Sequence, residues 1–264
     1  MVGRKLSTRP RESGGARLYL CGRLALEFNG RLLTERGLAG RQGRLLLAFL
    51  ATRRTPVSRP QLVEGLWESD APPAADGALN ALISKLRSTL RSLGEPAPYG
   101  VATDSGAYQF AMASVWIDVE SARQSLDRAE AALRAVDLAA AWTNAVVAAT
   151  ITRQPFLVGD ERRWIQEQRA SLGRVWRRAM LVLSAVSTRN HEPELGIQHA
   201  SDALAAEPFD EMACQALMRA HASAGNRAEA LRVFANCRKL FRDELGSEPS
   251  EKTSAVFLDI LRSQ

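Results

Sequence analysis

Between residues 40 and 93 the chain reads as three helices set apart by proline breaks. Leu45, Leu46, Phe49 and Leu50 share one face of a helix predicted from about Gly40 to Arg53, and Pro56 ends that region. Ser58-Arg59-Pro60-Gln61 then has capping-box form, a hydroxyl answered three residues on by Gln with proline in the first turn. The helix it opens runs to Trp67, and Ala71-Pro72-Pro73-Ala74 breaks the chain again. The third helix spans about Asp76 to Leu93. At 100° per residue, Leu79, Leu82, Ile83, Leu90 and Leu93 fall within about 60° of Leu86. The opposite face is Gly77, Asn80, Ala81, Ser84, Arg87, Ser88 and Arg91, with no acid after Asp76. Small residues let such a face approach a partner closely, while Asn, Ser and Arg supply hydrogen bonds. A merely solvated face more often carries Glu and Lys, so the pattern predicts a helix that enters a nucleic-acid groove.

Strand patterns flank these helices. Leu18 to Phe28 alternates, and Asn29-Gly30 is a hairpin dipeptide before Arg31-Leu32-Leu33, which predicts a small antiparallel sheet. After Gly94-Glu95-Pro96, Val101-Ala102-Thr103 and Ala107-Tyr108-Gln109-Phe110 flank Asp104-Ser105-Gly106 as strand, turn and strand. Sheet, three helices and terminal hairpin in this order describe a winged helix-turn-helix.

The second half is helical throughout and repeats with the 34-residue tetratricopeptide period. Met180 recurs as Cys214, Leu183 as Leu217, Gly196 as Ala230, Ala200 as Phe234 and Ala203 as Cys237. Small or apolar residues thus return where two antiparallel helices must touch. An earlier pair, Val119–Ala135 and Asp137–Thr150, fits loosely, and Glu161–Arg189 begins the next unit. Such repeats stack into a scaffold with a concave surface suited to peptide or protein. The fold class is therefore mainly α with small β-sheets, a winged helix-turn-helix domain followed by an all-α tetratricopeptide-like helical-repeat domain. The expected domains are a disordered basic arm (residues 1–17), a DNA-binding domain (18–111) and a helical-repeat activation domain (112–264).

Charge sharpens this picture. Residues 1–17 carry five Lys or Arg against one acid, residues 18–111 eleven against eight, and residues 112–264 nineteen against twenty. The positive excess lies in the first 111 residues, where a polyanion would bind. The longest apolar run, Leu45 to Ala51, is seven residues, far short of a membrane span, and no apolar segment follows the basic N-terminus. A cytoplasmic, nucleoid-associated protein without membrane contact is expected. Cys21, Cys214 and Cys237 form no CxxC and do not pair with His191, His199 or His221 at ligand spacing, so no metal and no cofactor are expected. GxxxxGK[ST], GxSxG and HExxH are all missing, and Asp160-Glu161 and Asp243-Glu244 read as solvated helix-end charges, so no enzyme is expected. Trp142, Trp164 and Trp176 read as core, with a ligand-lining role as the alternative.

Several segments carry a family resemblance together. They include Gln42-x-x-x-Leu46-Leu47-Ala48-x-Leu50, Val57-Ser58-x-x-x-Leu62-Val63-x-x-Leu66-Trp67 and Ala78-Leu79-x-x-x-Ile83-Ser84-x-Leu86-Arg87-x-x-Leu90. In the second half they include Glu207-Pro208, Gly225-x-x-x-Glu229-Ala230-Leu231 and Glu244-Leu245-Gly246-x-Glu248-Pro249-Ser250. The chain resembles the Streptomyces antibiotic regulatory proteins in their short two-domain form. The resemblance implies an OmpR-type winged helix followed by a bacterial transcriptional activation domain. It also implies a sequence-specific activator that binds promoter direct repeats, recruits RNA polymerase holoenzyme through sigma and core subunits, and serves a secondary-metabolite (antibiotic) gene cluster. Direct repeats imply a second protomer beside the first on double-stranded DNA.

Position assigns the roles. Asn80, Ser84, Arg87, Ser88 and Arg91 are expected to face the major groove, with Arg87 as guanine reader and Lys85 on the flank touching phosphate. Arg41, Arg44 and Arg59, near helix starts, suit phosphate clamping. Family wings carry an arginine after the threonine, and here that position is Asp104. Wing contact then falls to Thr103, Ser105, Tyr108 and backbone amides. The competing reading is a helical-repeat interaction adaptor or ligand-sensing regulator with weak DNA binding.

Overall fold

The computed structural model describes residues 15–53, 55–94, 100–104, 106–111 and 115–263. It divides into two compact units, Met1–Asp118 with Pro155–Glu167, and Val119–Gln154 with Gln168–Gln264. The contiguous cut expected after residue 111 does not describe these units, because residues 155–167 return to the first. Most of the expected arm lies outside the described residues, and Arg17, assigned to it from sequence, opens the first strand.

In the first unit, strands β1 (Arg17–Tyr19), β2 (Ala25–Phe28), β3 (Arg31–Thr34) and β7 (Trp116–Ile117) form a sheet in the order β3-β2-β1-β7. The β2–β3 hairpin turns at Asn29-Gly30, both at positive φ, as the dipeptide predicts. The alternating stretch 18–28 is interrupted at Gly22, whose φ of +80° ends β1 and starts the return into β2. Strand β7 joins parallel to β1. Asp118 Oδ2 accepts the Leu20 and Cys21 N–H groups, each at 2.8 Å, at the end of that pair.

Helices α1 (Gly40–Ala51), α2 (Arg59–Trp67) and α3 (Ala75–Ser92) follow, with a second sheet of β4 (Val57–Ser58), β5 (Gly100–Asp104) and β6 (Ala107–Ala111) in the order β4-β6-β5. This is the winged helix-turn-helix. Every residue from Leu45 to Ala51 of α1 is buried, which makes that helix the centre of the unit. The capping box is present in full: the Ser58 hydroxyl accepts from the Gln61 N–H, and Gln61 Oε1 accepts the Ser58 N–H at 2.9 Å.

The segment 155–167 is part of this core. Phe156 and Leu157 are 1% exposed, Gly22 N–H donates to Pro155 O, and Leu157 N–H donates to Leu20 O. Trp164 Nε1 donates to Gly65 O at 2.9 Å, and its ring meets Phe49 and Phe156 edge-on.

The second unit is built from α4 (Asp118–Arg134), α5 (Leu138–Thr152), α6 (Arg163–Arg189) from residue 168 onward, α7 (Pro193–Ala206), α8 (Glu211–Ser223), α9 (Arg227–Leu245) and α10 (Glu251–Arg262). The residues paired at 34 positions are all buried except Phe234, which is half-buried. They recur because each lies where one helix of a pair meets the other. Gly196 shows how close that approach is. A Cβ there would stand 2.6 Å from Thr188 Oγ1, while the Ser184 hydroxyl donates to the Gly196 carbonyl at 2.8 Å. Trp142 and Trp176 pack half-buried on this unit's core, and Trp164 belongs to the other unit. No described helix is long and apolar enough to cross a membrane.

Candidate nucleic-acid interface

Helix α3 divides as its periodicity predicts. Leu79, Ile83, Leu86 and Leu90 are buried, while Gly77, Asn80, Ala81, Ser84, Lys85, Ser88 and Arg91 are exposed. Leu82 is only half-buried, at the border of the two faces. Among the described residues, the side chains of Ser84, Lys85, Ser88 and Arg91 have no hydrogen-bond or ion-pair partner within the fold. Two cations and two hydroxyls therefore stand unengaged along one exposed row, and no carboxylate shares the row beyond Asp76.

Arg87, placed from sequence as the guanine reader, is engaged elsewhere. Its Nε donates to the Val101 carbonyl at 2.8 Å and its Nη2 to Thr103 Oγ1, both on β5. The fork that could meet a guanine holds the wing against the helix instead. The sequence wheel put Arg87 on the right side of α3 but could not show that β5 runs alongside. We expect Arg87→Ala to lower stability by about 1.5–3 kcal/mol, the range for hydrogen bonds to a charged group, and to weaken cognate and scrambled duplexes alike. Arg87→Lys should not rescue it, because one ammonium cannot reproduce the fork. Thermal melts and binding isotherms on both duplexes check this; unchanged melting with lost sequence preference would restore the base-reading role.

Arg59 is likewise a structural hub. Its Nη1 donates to Asn80 Oδ1 at 2.9 Å and to the Tyr108 hydroxyl at 2.7 Å, and its Nη2 to Asp76 Oδ1 at 2.9 Å. One guanidinium thus ties the start of α2 to the first two turns of α3 and to β6. The hydrogen bond to Asp76 raises its pKa above the ordinary arginine value. Tyr108, expected at the wing surface, is buried at 8% exposure with its hydroxyl committed to Arg59. The alternation of β6 turns it inward. Thr103 is exposed, with its hydroxyl accepting from Arg87, and Ser105 lies outside the described residues.

The expected phosphate clamps on α1 are also redirected. Asp160, read from sequence as a solvated helix-end charge, is fully buried, and Arg41, Arg44 and Arg162 converge on it. Arg162 Nη1 donates to Oδ1 at 2.8 Å, Arg41 Nε to the same oxygen at 2.6 Å, and Arg44 Nη2 to Oδ2. Arg44 also donates to the Val158 carbonyl at 3.1 Å and retains 13% side-chain exposure. It is a core ion-pair residue, not a phosphate clamp. Arg41 keeps 59% of its side chain exposed. Sequence reasoning missed Arg31, whose Nη1 donates to the Ser92 carbonyl at 2.8 Å, a cation set at the C-terminal end of α3 as the helix dipole favours.

Comparison with known proteins agrees with this architecture. Residues 34–110 match the family described as transcriptional regulatory protein, C terminal, and residues 117–261 match the bacterial transcriptional activator domain. The regulatory protein AfsR of Streptomyces coelicolor is 29% identical over 245 residues, covering 90% of this chain and 23% of that protein. AfsR of Streptomyces griseus is 26% identical over 232 residues, covering 84% and 22%. The chain thus spans about a quarter of the length of these relatives. Mycobacterium tuberculosis EmbR, solved in complex with a low affinity phosphopeptide, shares the fold at a TM-score of 0.82 and 20% identity, over 95% of this chain and 65% of that one. With an OmpR-type domain ahead of a bacterial transcriptional activator domain that fills more than half its length, the chain belongs to the Streptomyces antibiotic regulatory protein family of transcriptional regulators.

Proposed function

We propose that the protein is an activator that inserts α3 into the major groove of short direct repeats in promoter DNA and recruits RNA polymerase there, for a secondary-metabolite gene cluster. The reading rests on the row Ser84, Lys85, Ser88 and Arg91, exposed, unengaged and free of acids. In this account Ser84 and Ser88 meet base edges, Arg91 reads a base or clamps phosphate according to its depth, and Lys85 takes the flanking phosphate. Arg59 and Arg87 hold helix and wing in register, and Asn80 is oriented by Arg59. Thr103 and Arg41 sit where contact with the backbone is open to them. Two protomers side by side on the repeats need no stable dimer in solution, and the nucleoid is the expected location.

Binding to a promoter duplex measured from 50 to 300 mM salt tests this. About three neutralised phosphates per protomer, met by Lys85, Arg91 and Arg41, give a slope of roughly −2.7 in log K against log salt, together with preference for the repeats over a scrambled duplex. An interaction adaptor gives a flat line and no preference, and that result would remove the DNA-reading role.

A further inference from the structure

The helical-repeat unit carries a groove of about 540 Å³ between α4, α6 and α8. Its lining follows a strict register. Arg178, Leu181, Val182 and Ala185 of α6 face it at the spacing of one helix side, and 34 residues later Met212, Gln215, Ala216 and Arg219 of α8 face it in the same way. Glu130, Leu133 and Arg134 of α4 fall on the same pattern, 48 residues before Arg178, Leu181 and Val182. Three alternate helices, α4, α6 and α8, therefore turn equivalent faces to one open surface, the arrangement by which stacked repeats bind extended partners.

Two features of that surface are unexpected in a scaffold with no partner. Met212 is 65% exposed beside the half-buried Leu133 and Leu181. Each helix also contributes one arginine. Arg178 is fixed by Glu130 through two hydrogen bonds of 2.8 and 2.7 Å, while Arg134 and Arg219 are exposed and have no ion-pair partner among the described residues. Three arginines against one glutamate make the groove cationic, although residues 112–264 carry one more acid than base.

We propose that this groove binds an acidic peptide segment in which carboxylates flank an apolar side chain. Guanidinium forks match carboxylates in pairs. The strip of Leu133, Leu181, Val182 and Met212 gives the apolar side chain a place to leave water, a feature that sugar-phosphate would not use. The proposal uses no residue of α3 and does not depend on how the protein reads DNA.

The test is fluorescence anisotropy with the full chain and three labelled twelve-residue peptides, alternating glutamate with leucine, glutamate with serine, and lysine with leucine. The glutamate–leucine peptide should bind, with the serine version at least about tenfold weaker and the lysine version not binding. Arg134→Glu combined with Arg219→Glu should weaken the first peptide at least about tenfold, and Met212→Ser severalfold, with melting temperature and promoter affinity unchanged. The proposal is overturned if the glutamate–leucine peptide fails to bind by about millimolar concentration, if the two acidic peptides bind alike, or if the variants bind as the parent does.

Discussion

Reversing two charges on one helix face, Lys85→Glu with Arg91→Glu, is expected to lower affinity for a promoter duplex at least about a hundredfold while the melting temperature stays within a degree or two. Each substitution removes a cation from the exposed row of α3 and places a carboxylate where phosphate or a base edge would lie. A lost phosphate or base contact costs about 1–3 kcal/mol, and repulsion adds to it, so two sites together exceed the roughly 2.7 kcal/mol of a hundredfold change. Stability is spared because both side chains are exposed and hold nothing else in the fold. Isotherms and melts on the same preparation measure both quantities. A variant that binds as tightly as the parent would show that α3 does not face the duplex.

The second large effect is predicted far from that face. Asp160→Ala should destabilise the first unit by about 3–4 kcal/mol, because removing one partner of a buried ion pair leaves the other uncompensated. The three arginines do not weigh equally. Arg44 and Arg162, at 13% and 11% side-chain exposure, lose a partner they cannot replace with water, whereas Arg41 at 59% can be solvated and contributes little. Asp160→Asn separates shape from charge and should recover only part of the loss, since one amide oxygen cannot satisfy three guanidinium groups. Urea unfolding followed through Trp164, whose ring packs on Phe156 in the same segment, reads the change. An unchanged midpoint for Asp160→Ala would mean that the network adds nothing net, and that the segment 155–167 is held by its apolar residues alone.

Patterns that repeat along the chain were legible, and pairings across it were not. The leucines of α3, the Ser58 capping box, the Asn29-Gly30 turn and the 34-residue spacing are local or periodic, so sequence alone places them. Asp160 lies 116 residues from Arg44 and 119 from Arg41, and an acid beside basic neighbours in sequence looks solvated until the fold buries it. The segment around it has no period of its own, which is why it was not assigned to the first unit. Arg87 shows the same limit at shorter range: the wheel gives its angle on α3, but its acceptors lie 14 and 16 residues on, in a strand whose path the wheel does not contain. Tyr108 could have been placed better, because β6 pairs it with Val57 and Thr103 and its alternation turns it inward. The candidate site therefore rests on the exposed row of α3, and four of its expected contacts, Arg44, Arg59, Arg87 and Tyr108, are taken up by structural work.

The claim on which the functional reading depends is that the small and hydroxyl residues of α3 lie against base edges. Photo-cross-linking from a benzophenone side chain placed at Ser84 tests it directly, with the cross-linked nucleotide mapped on a promoter duplex. The account predicts cross-links to bases inside each direct repeat, at the major-groove edge, and none when the same group replaces Leu32, which is 62% exposed on the hairpin. Cross-links confined to the Leu32 position, or equal from both, would contradict it.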